Sequence, residues 1–272
     1  MSARTAANDR RALLLCGAFA AGVLALGALV ALLAGPLALV VAAVVAALVI
    51  VVALSAGARI ALRAVGARPA GPQDDPRYAN VVEGLCLEAS IPVPALYVID
   101  AGVPNALAVG SGPGHASIAV TSGLLATLNR IELEGVLAHE LALITSHAVR
   151  ARTAAVVLGA LPALLWSRHG GVPTGAAALL TLPLAPLLRL VGSDRAELEA
   201  DQQGAYLTRY PPGLIRALTT IQAGEDGLPA GAAGVDHLWL VPPPAGRPAP
   251  RWLRPAAAHR PLAQRIEALR EL

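Results

Sequence analysis

Between residues 12 and 58 the chain carries no charged side chain, and this run limits what the molecule can fold into more than any other feature. One helix crosses a bilayer with about 20 apolar residues, so the run holds two. Gly35-Pro36 near its middle supplies a turn, which gives spans over residues 12–34 and 37–57. A secretory leader has an apolar core of only about 7 to 15 residues, far shorter than this run. Hydrocarbon offers the backbone no hydrogen bonds, so a pair of helices satisfying their own peptide groups is the form expected. The whole chain agrees, being 56% hydrophobic and 14% charged, a balance too apolar for an ordinary soluble domain.

Arginine sets the expected orientation. The chain has no lysine, and Arg4, Arg10 and Arg11 precede the hairpin while Arg59, Arg63 and Arg68 follow it. Basic flanks stay in the cytoplasm, so both ends of the hairpin, and the body of the protein after it, are expected on that side of the cell membrane. The net charge of +3 is accounted for by these flanks and their contact with lipid headgroups. Basic and aromatic residues are not interleaved, so nucleic acid is not an expected partner. Cys16 lies inside the first span and Cys86 in a helix-like segment, too few and too ill-placed for a disulfide framework.

Residues 68–76, rich in Pro, Gly and Asp, read as a linker between a hairpin unit at 1–67 and a domain at 68–272. Helical spacing over residues 78–89 is followed by a short β-rich run at 95–100. Residues 105–109 and 117–121 then flank a glycine-rich turn, which together read as a small sheet. Asn129 and Glu132 have the spacing of a capping box and open a helix. Two further apolar stretches, 153–166 and 172–188, suggest a second membrane hairpin over 153–188, with a buried or interfacial helix pair as the alternative. Residues 193–207 and 211–222 read as helices, 223–254 as Gly- and Pro-rich loop, and 261–272 as a short charged helix.

The helix opened by Asn129 carries His139-Glu140. A zinc hydrolase of the HExxH kind needs two imidazoles one turn apart: at about 100° and 1.5 Å per residue, positions i and i+4 face one metal. The glutamate beside the first histidine then polarises the bound water. His139 and Glu140 supply the first half of that arrangement, but position i+4 is Leu143, which has no donor atom. His147 lies about 12 Å further along the axis and about 80° around it, so it does not share a metal with His139. By itself a His-Glu pair on a helix carries little information.

Its surroundings carry more. Asn105-Ala-Leu-Ala108, Ile118-Ala-Val-Thr-Ser-Gly-Leu-Leu125 and Glu132-Leu-Glu-Gly-Val-Leu-Ala-His-Glu-Leu141 follow one another in the chain. Ser193-Asp-Arg-Ala-Glu-Leu-Glu-Ala-Asp201 and His259-Arg-Pro-Leu-Ala-Gln-Arg-Ile266 come later. In this order they resemble the HtpX family of membrane zinc metalloproteases, related to the Ste-type prenyl-protein proteases, over nearly the whole chain. The resemblance implies an α+β fold, a zincin-like domain of helices with a small sheet, joined to transmembrane hairpins. It also implies Glu140 as the catalytic residue, His139 and Glu197 as metal ligands, and Asp201 as their support. Asn105, Ala106, Leu107 and Ala108 match the family's edge strand, on which an extended substrate pairs through its backbone.

The departures fall in the catalytic segments. Leu143 replaces the second histidine, Ser146 and Ala148 replace the family's Asn and Asp on the next turn, and Asp194 and Ala196 replace two arginines near the third ligand. Catalytic zinc takes three protein ligands and an open position, and His139 with Glu197 make two. The reading that follows is a pseudoprotease: membrane-bound, HtpX-like, binding extended peptides or membrane proteins without cutting them. Two alternatives stand beside it. One is an active zinc endopeptidase of membrane-protein quality control with an altered ligand set; the other is a non-enzymatic membrane scaffold. Zinc is the expected cofactor if the protein is active, and an incomplete ligand set leaves it without bound metal otherwise.

Overall fold

The leucine, valine and alanine run between the flanking arginines forms two helices, α1 (Ala3–Ala34) and α2 (Leu37–Ser55), in a computed structural model that describes residues 3–168, 194–223, 235–241 and 260–272. Both helices are long and apolar enough to cross a membrane. Their small residues face each other: a Cβ built on Gly27 would lie 2.3 Å from the Ala42 Cβ, the close approach that membrane helix pairs favour. Leu24, Leu32, Leu33, Val40, Val44 and Leu48 point outward and are exposed. An apolar outer surface over a tightly packed seam is the arrangement lipid demands.

A short helix, α3 (Gly57–Ala64), leads into the domain. Its sheet has the order β1-β2-β4-β3, formed by β1 (Arg68–Pro69), β2 (Ala95–Ile99), β3 (Ala106–Gly110) and β4 (Ala116–Thr121). β2 runs parallel to β4, with Leu96 opposite Ile118, while β3 and β4 form the antiparallel hairpin expected around the glycine-rich turn. β3 is thus the outer strand of the sheet. Its side chains alternate: Ala106 and Ala108 enter the main core, whereas Leu107 and Val109 enter a second cluster with Ala61, Val156 and Trp239. Period-two alternation of a strand buried on both faces explains why all five residues are apolar or glycine.

Asp75 caps α4 (Pro76–Ala89) by accepting from the Arg77 amide. After α5 (Ser122–Thr127) comes α6 (Arg130–Thr145), which starts with both halves of the capping box formed between Asn129 and Glu132. Ten consecutive residues of α6, Gly135 to Ile144, are buried, so this helix is wrapped on every side. α7 (Ala148–Arg168) turns away from it by 81°, with His147 at φ 62° in the corner. α8 (Asp194–Thr208), α9 (Pro211–Ala223) and α10 (Leu262–Arg270) complete the described helices.

The first arm of the second hairpin suggested by the sequence, 153–166, continues α7. The beginning of that helix packs Ala151, Ala154, Ala155 and Leu158 against Leu15, Phe19 and Val23 of α1. The second arm, 172–188, lies outside the described residues. Within the stretch read as mostly loop, residues 235–241 form a 3-10 turn at Asp236–Leu238 and then bridge to the sheet through Trp239.

Because the α1–α2 seam has no room at Gly27, a Gly27→Leu protein is expected to lose about 1–3 kcal/mol through overpacking. The check is the thermal unfolding midpoint in detergent, and an unchanged midpoint would mean that the seam is not closed at this position.

Candidate functional site

α8 crosses α6 with almost no separation: a Cβ on Gly204 would come within 2.9 Å of the His139 amide nitrogen. That contact fixes what the next turns of α8 bring to the site. Glu197 and Asp201 stand four residues apart and share one helix face, which the crossing presents to His139. The Asp201 carboxylate lies 2.8 Å from His139 Nδ1. A carboxylate at Nδ1 favours the proton there and leaves Nε2 as the ring's acceptor.

Two arginines enter the same interior. From α10, Arg265 donates to Asp201 twice, at 2.8 and 2.7 Å, and once to the Leu240 carbonyl at 3.0 Å. From α7, Arg152 donates to the His237 carbonyl at 3.2 and 2.5 Å and to the Leu238 carbonyl at 3.3 Å. Arg152 reaches Glu197 Oε1 at 3.8 Å and Arg265 reaches Glu197 Oε2 at 3.9 Å. His139, Glu140, Glu197, Asp201, Arg152 and Arg265 are all at most 3% exposed.

Burial affects the carboxyls differently. At Asp201 burial would raise the pKa, but the Arg265 guanidinium and His139 outweigh it and hold the group down at about 2, so it stays ionised. At Glu140 burial wins over the attraction of His139, Arg152 and Arg265, and Glu197 pushes the same way, so its pKa rises. Neither Glu140 oxygen has a hydrogen-bond partner among the described residues, and the neutral form is what such surroundings favour. Burial opposes the charge of Arg265, yet the Asp201 carboxylate, with Glu197 behind it, keeps it firmly protonated.

Zinc is the metal implied by the HExxH-like segment, and the donor set among the described residues does not fit it. Leu143, one turn beyond His139, is 2% exposed and belongs to the main hydrophobic core. Among the described residues, no group of three or more His, Cys, Asp or Glu is placed so that it could hold a metal ion. Both oxygens of Glu197 face a guanidinium instead. Of the other histidines, His147 points to Asp9 at 3.2 Å in the α6–α7 corner, and His115 is exposed in the turn before β4. His169 and His259 lie outside the described residues. At the other replaced positions, Ser146 donates to the Leu143 carbonyl and Ala148 is buried at the start of α7.

The edge strand at Asn105, Ala106, Leu107 and Ala108 stands where the sequence reading put it, on the outer side of the sheet, but it does not stand open. Trp239 bridges to Leu107 and the Leu240 amide donates to the Ala106 carbonyl at 2.8 Å. The Asn105 side chain donates to the Val241 carbonyl at 2.6 Å and accepts from the Val241 amide at 3.2 Å. An amide side chain thereby pairs with a peptide group as a neighbouring strand would. Residues 239–241 of the same chain hold the position expected for an extended peptide.

Sequence reasoning missed Arg152, His237 and Trp239 as parts of the site. Arg152 is legible in hindsight as the second of two arginines, Arg150 and Arg152, that open an apolar run, thirteen residues after His139. Trp239 and its neighbours had no comparable signal within a glycine- and proline-rich stretch.

The sequence profile of peptidase family M48 matches residues 72–272. A protein described as a protease HtpX homolog from Tropheryma whipplei (strain TW08/27) is 34% identical over 235 residues, covering 79% of this chain and 78% of the relative. HtpX homologs from Dictyoglomus turgidum and Pyrococcus furiosus are each 35% identical. The alignments span 228 and 237 residues, 78% of this chain in both cases, and 74% and 79% of the respective relatives.

Removing Arg265 would leave Asp201 charged and buried. An Arg265→Ala protein is therefore expected to lose about 3–5 kcal/mol, read as a lower denaturation midpoint, whereas Arg270→Ala on the exposed side of the same helix should change it little.

Proposed function

The chain belongs to peptidase family M48, and from that premise we propose that it is a membrane-anchored, HtpX-like pseudoprotease that does not hydrolyse peptides through a bound zinc ion. The observation that carries this reading is Leu143. A buried leucine one turn from His139 puts hydrocarbon where the second imidazole has to be, and two ligands do not make a catalytic zinc site. Arg152 and Arg265 beside Glu197 support the same conclusion, because cations facing a carboxylate compete with a metal for it. The arginines on both flanks of the α1–α2 hairpin support a domain on the cytoplasmic side of the cell membrane.

A member of the family that does not cut works by holding. Membrane proteins and extended peptides are the partners that suit a domain tethered this close to the bilayer. The β3 edge already pairs with residues 239–241, so a peptide would gain it only by exchange for them. One observation favours the alternative of an active zinc peptidase with an altered ligand set: the Glu140 carboxyl, with no hydrogen-bond partner among the described residues, keeps the acceptor capacity a general base needs.

Zinc content of the detergent-purified full chain separates the two. Well under one zinc per chain is expected, with no chelator-sensitive cleavage of casein and no change on Glu140→Gln. One tight zinc per chain with Glu140-dependent cleavage would replace the pseudoprotease by the altered-ligand enzyme.

A further inference from the structure

Resting on the non-catalytic reading above, we infer that Arg152 is the resident cation of this site, clamping the remnant ligand Glu197 to the 235–241 segment in place of a divalent ion. The placement of Arg152 needs an explanation. It stands in the second turn of a helix that continues as Thr-Ala-Ala-Val-Val-Leu, it is 3% exposed, and burying a guanidinium is costly unless its donors and its charge are matched. Both are matched here. Nε and Nη2 donate to the His237 and Leu238 carbonyls, and Nη2 stands 3.8 Å from the Glu197 carboxylate. Nη2 reaches both carbonyls and faces the carboxylate, and Nε adds a second bond to the His237 carbonyl from the same rigid plane, which a lysine's single nitrogen does not supply.

The clamp is reciprocal. His237 Nε2 lies 2.8 Å from the carbonyl of Arg152 itself, so the two segments are joined at backbone and side chain alike. Arg265 repeats the pattern a few residues on, holding the Leu240 carbonyl with one nitrogen and Asp201 with two others. Between them the two guanidiniums bracket Glu197, one near each oxygen, and fasten both ends of residues 237–240. These residues close the β3 edge through Trp239, Leu240 and the Asn105 amide. A divalent cation joins carboxylates to one another; Arg152 instead joins a carboxylate to the strand lying on the peptide edge. The occupied edge and the altered metal position are therefore one structure.

Arg152→Gln tests this in the full chain in detergent. Hydrogen exchange at the Leu240 and Val241 amides is expected to accelerate roughly tenfold or more, while amides in β4 stay protected. The unfolding midpoint should fall by about 10 °C. Adding Glu197→Gln should recover at least half of that fall, because the buried negative charge that faced Arg152 is then removed with it; this double variant keeps the test decisive if the single one folds poorly.

Zinc gives a separate reading. Leu143→His alone should bind well under one zinc per chain, and Leu143→His with Arg152→Gln should approach one. Unchanged exchange at Leu240 and Val241, additive midpoints, or equal zinc in the two Leu143→His proteins would overturn the role of Arg152 while leaving the pseudoprotease reading intact. Tight zinc in the unmodified chain would instead overturn that reading.

Discussion

Arg265 and Asp201 meet through two hydrogen bonds with both side chains at most 1% exposed, and the domain interior is arranged around that contact. Two charges taken out of water stabilise a fold only where geometry is good and the remaining donors are satisfied. Here the pairing is bidentate, the third nitrogen of Arg265 reaches the Leu240 carbonyl, and the far side of Asp201 meets His139. One ion pair thus ties α10 to α8, α8 to α6, and all three to the segment beside the sheet.

Leu143, Glu197 and Arg152 make more sense together than singly. Leu143 by itself would leave a histidine and a carboxylate facing hydrocarbon, a local conflict that a foldable sequence avoids. Arg152 relieves it by bringing charge to Glu197, and the carbonyls of His237 and Leu238 relieve Arg152 in turn. Each of these residues is costly alone and compatible in the company of the others. A core polar network behaves this way because it is stable only when every member is satisfied.

Much of this was legible in the residues themselves. The charge-free run gave two helices, with Gly35-Pro36 between them, because lipid allows little else. Asn129 and Glu132 gave the start of α6, because a capping box is local chemistry; the β3–β4 hairpin was readable from its glycines for the same reason. His139, Glu140, Glu197 and Asp201 were brought to one place by resemblance and not by any local rule, since α6 ends at Thr145 and α8 begins only at Asp194. The contact of residues 235–241 with β3 was not legible. It depends on Asn105, read in the sequence only as the start of the edge strand and not as the amide that pairs with Val241, and on arginines whose partners are backbone carbonyls that leave no mark in a sequence.

The junction between the hairpin and the domain carries a consequence for the order of assembly. Asn8 donates to the Ser146 carbonyl, and Asp9 accepts from Arg150 and lies beside His147. The first turns of α1 therefore find their partners at the corner from which α7 departs toward Arg152. On the ribosome those first turns emerge well before that corner exists, so α1 and α2 enter the membrane with this polar end unmatched. The hairpin is then a waiting template: the corner docks onto a surface already fixed at the bilayer, and the register of α7, with the depth at which Arg152 sits, is set by the membrane anchor.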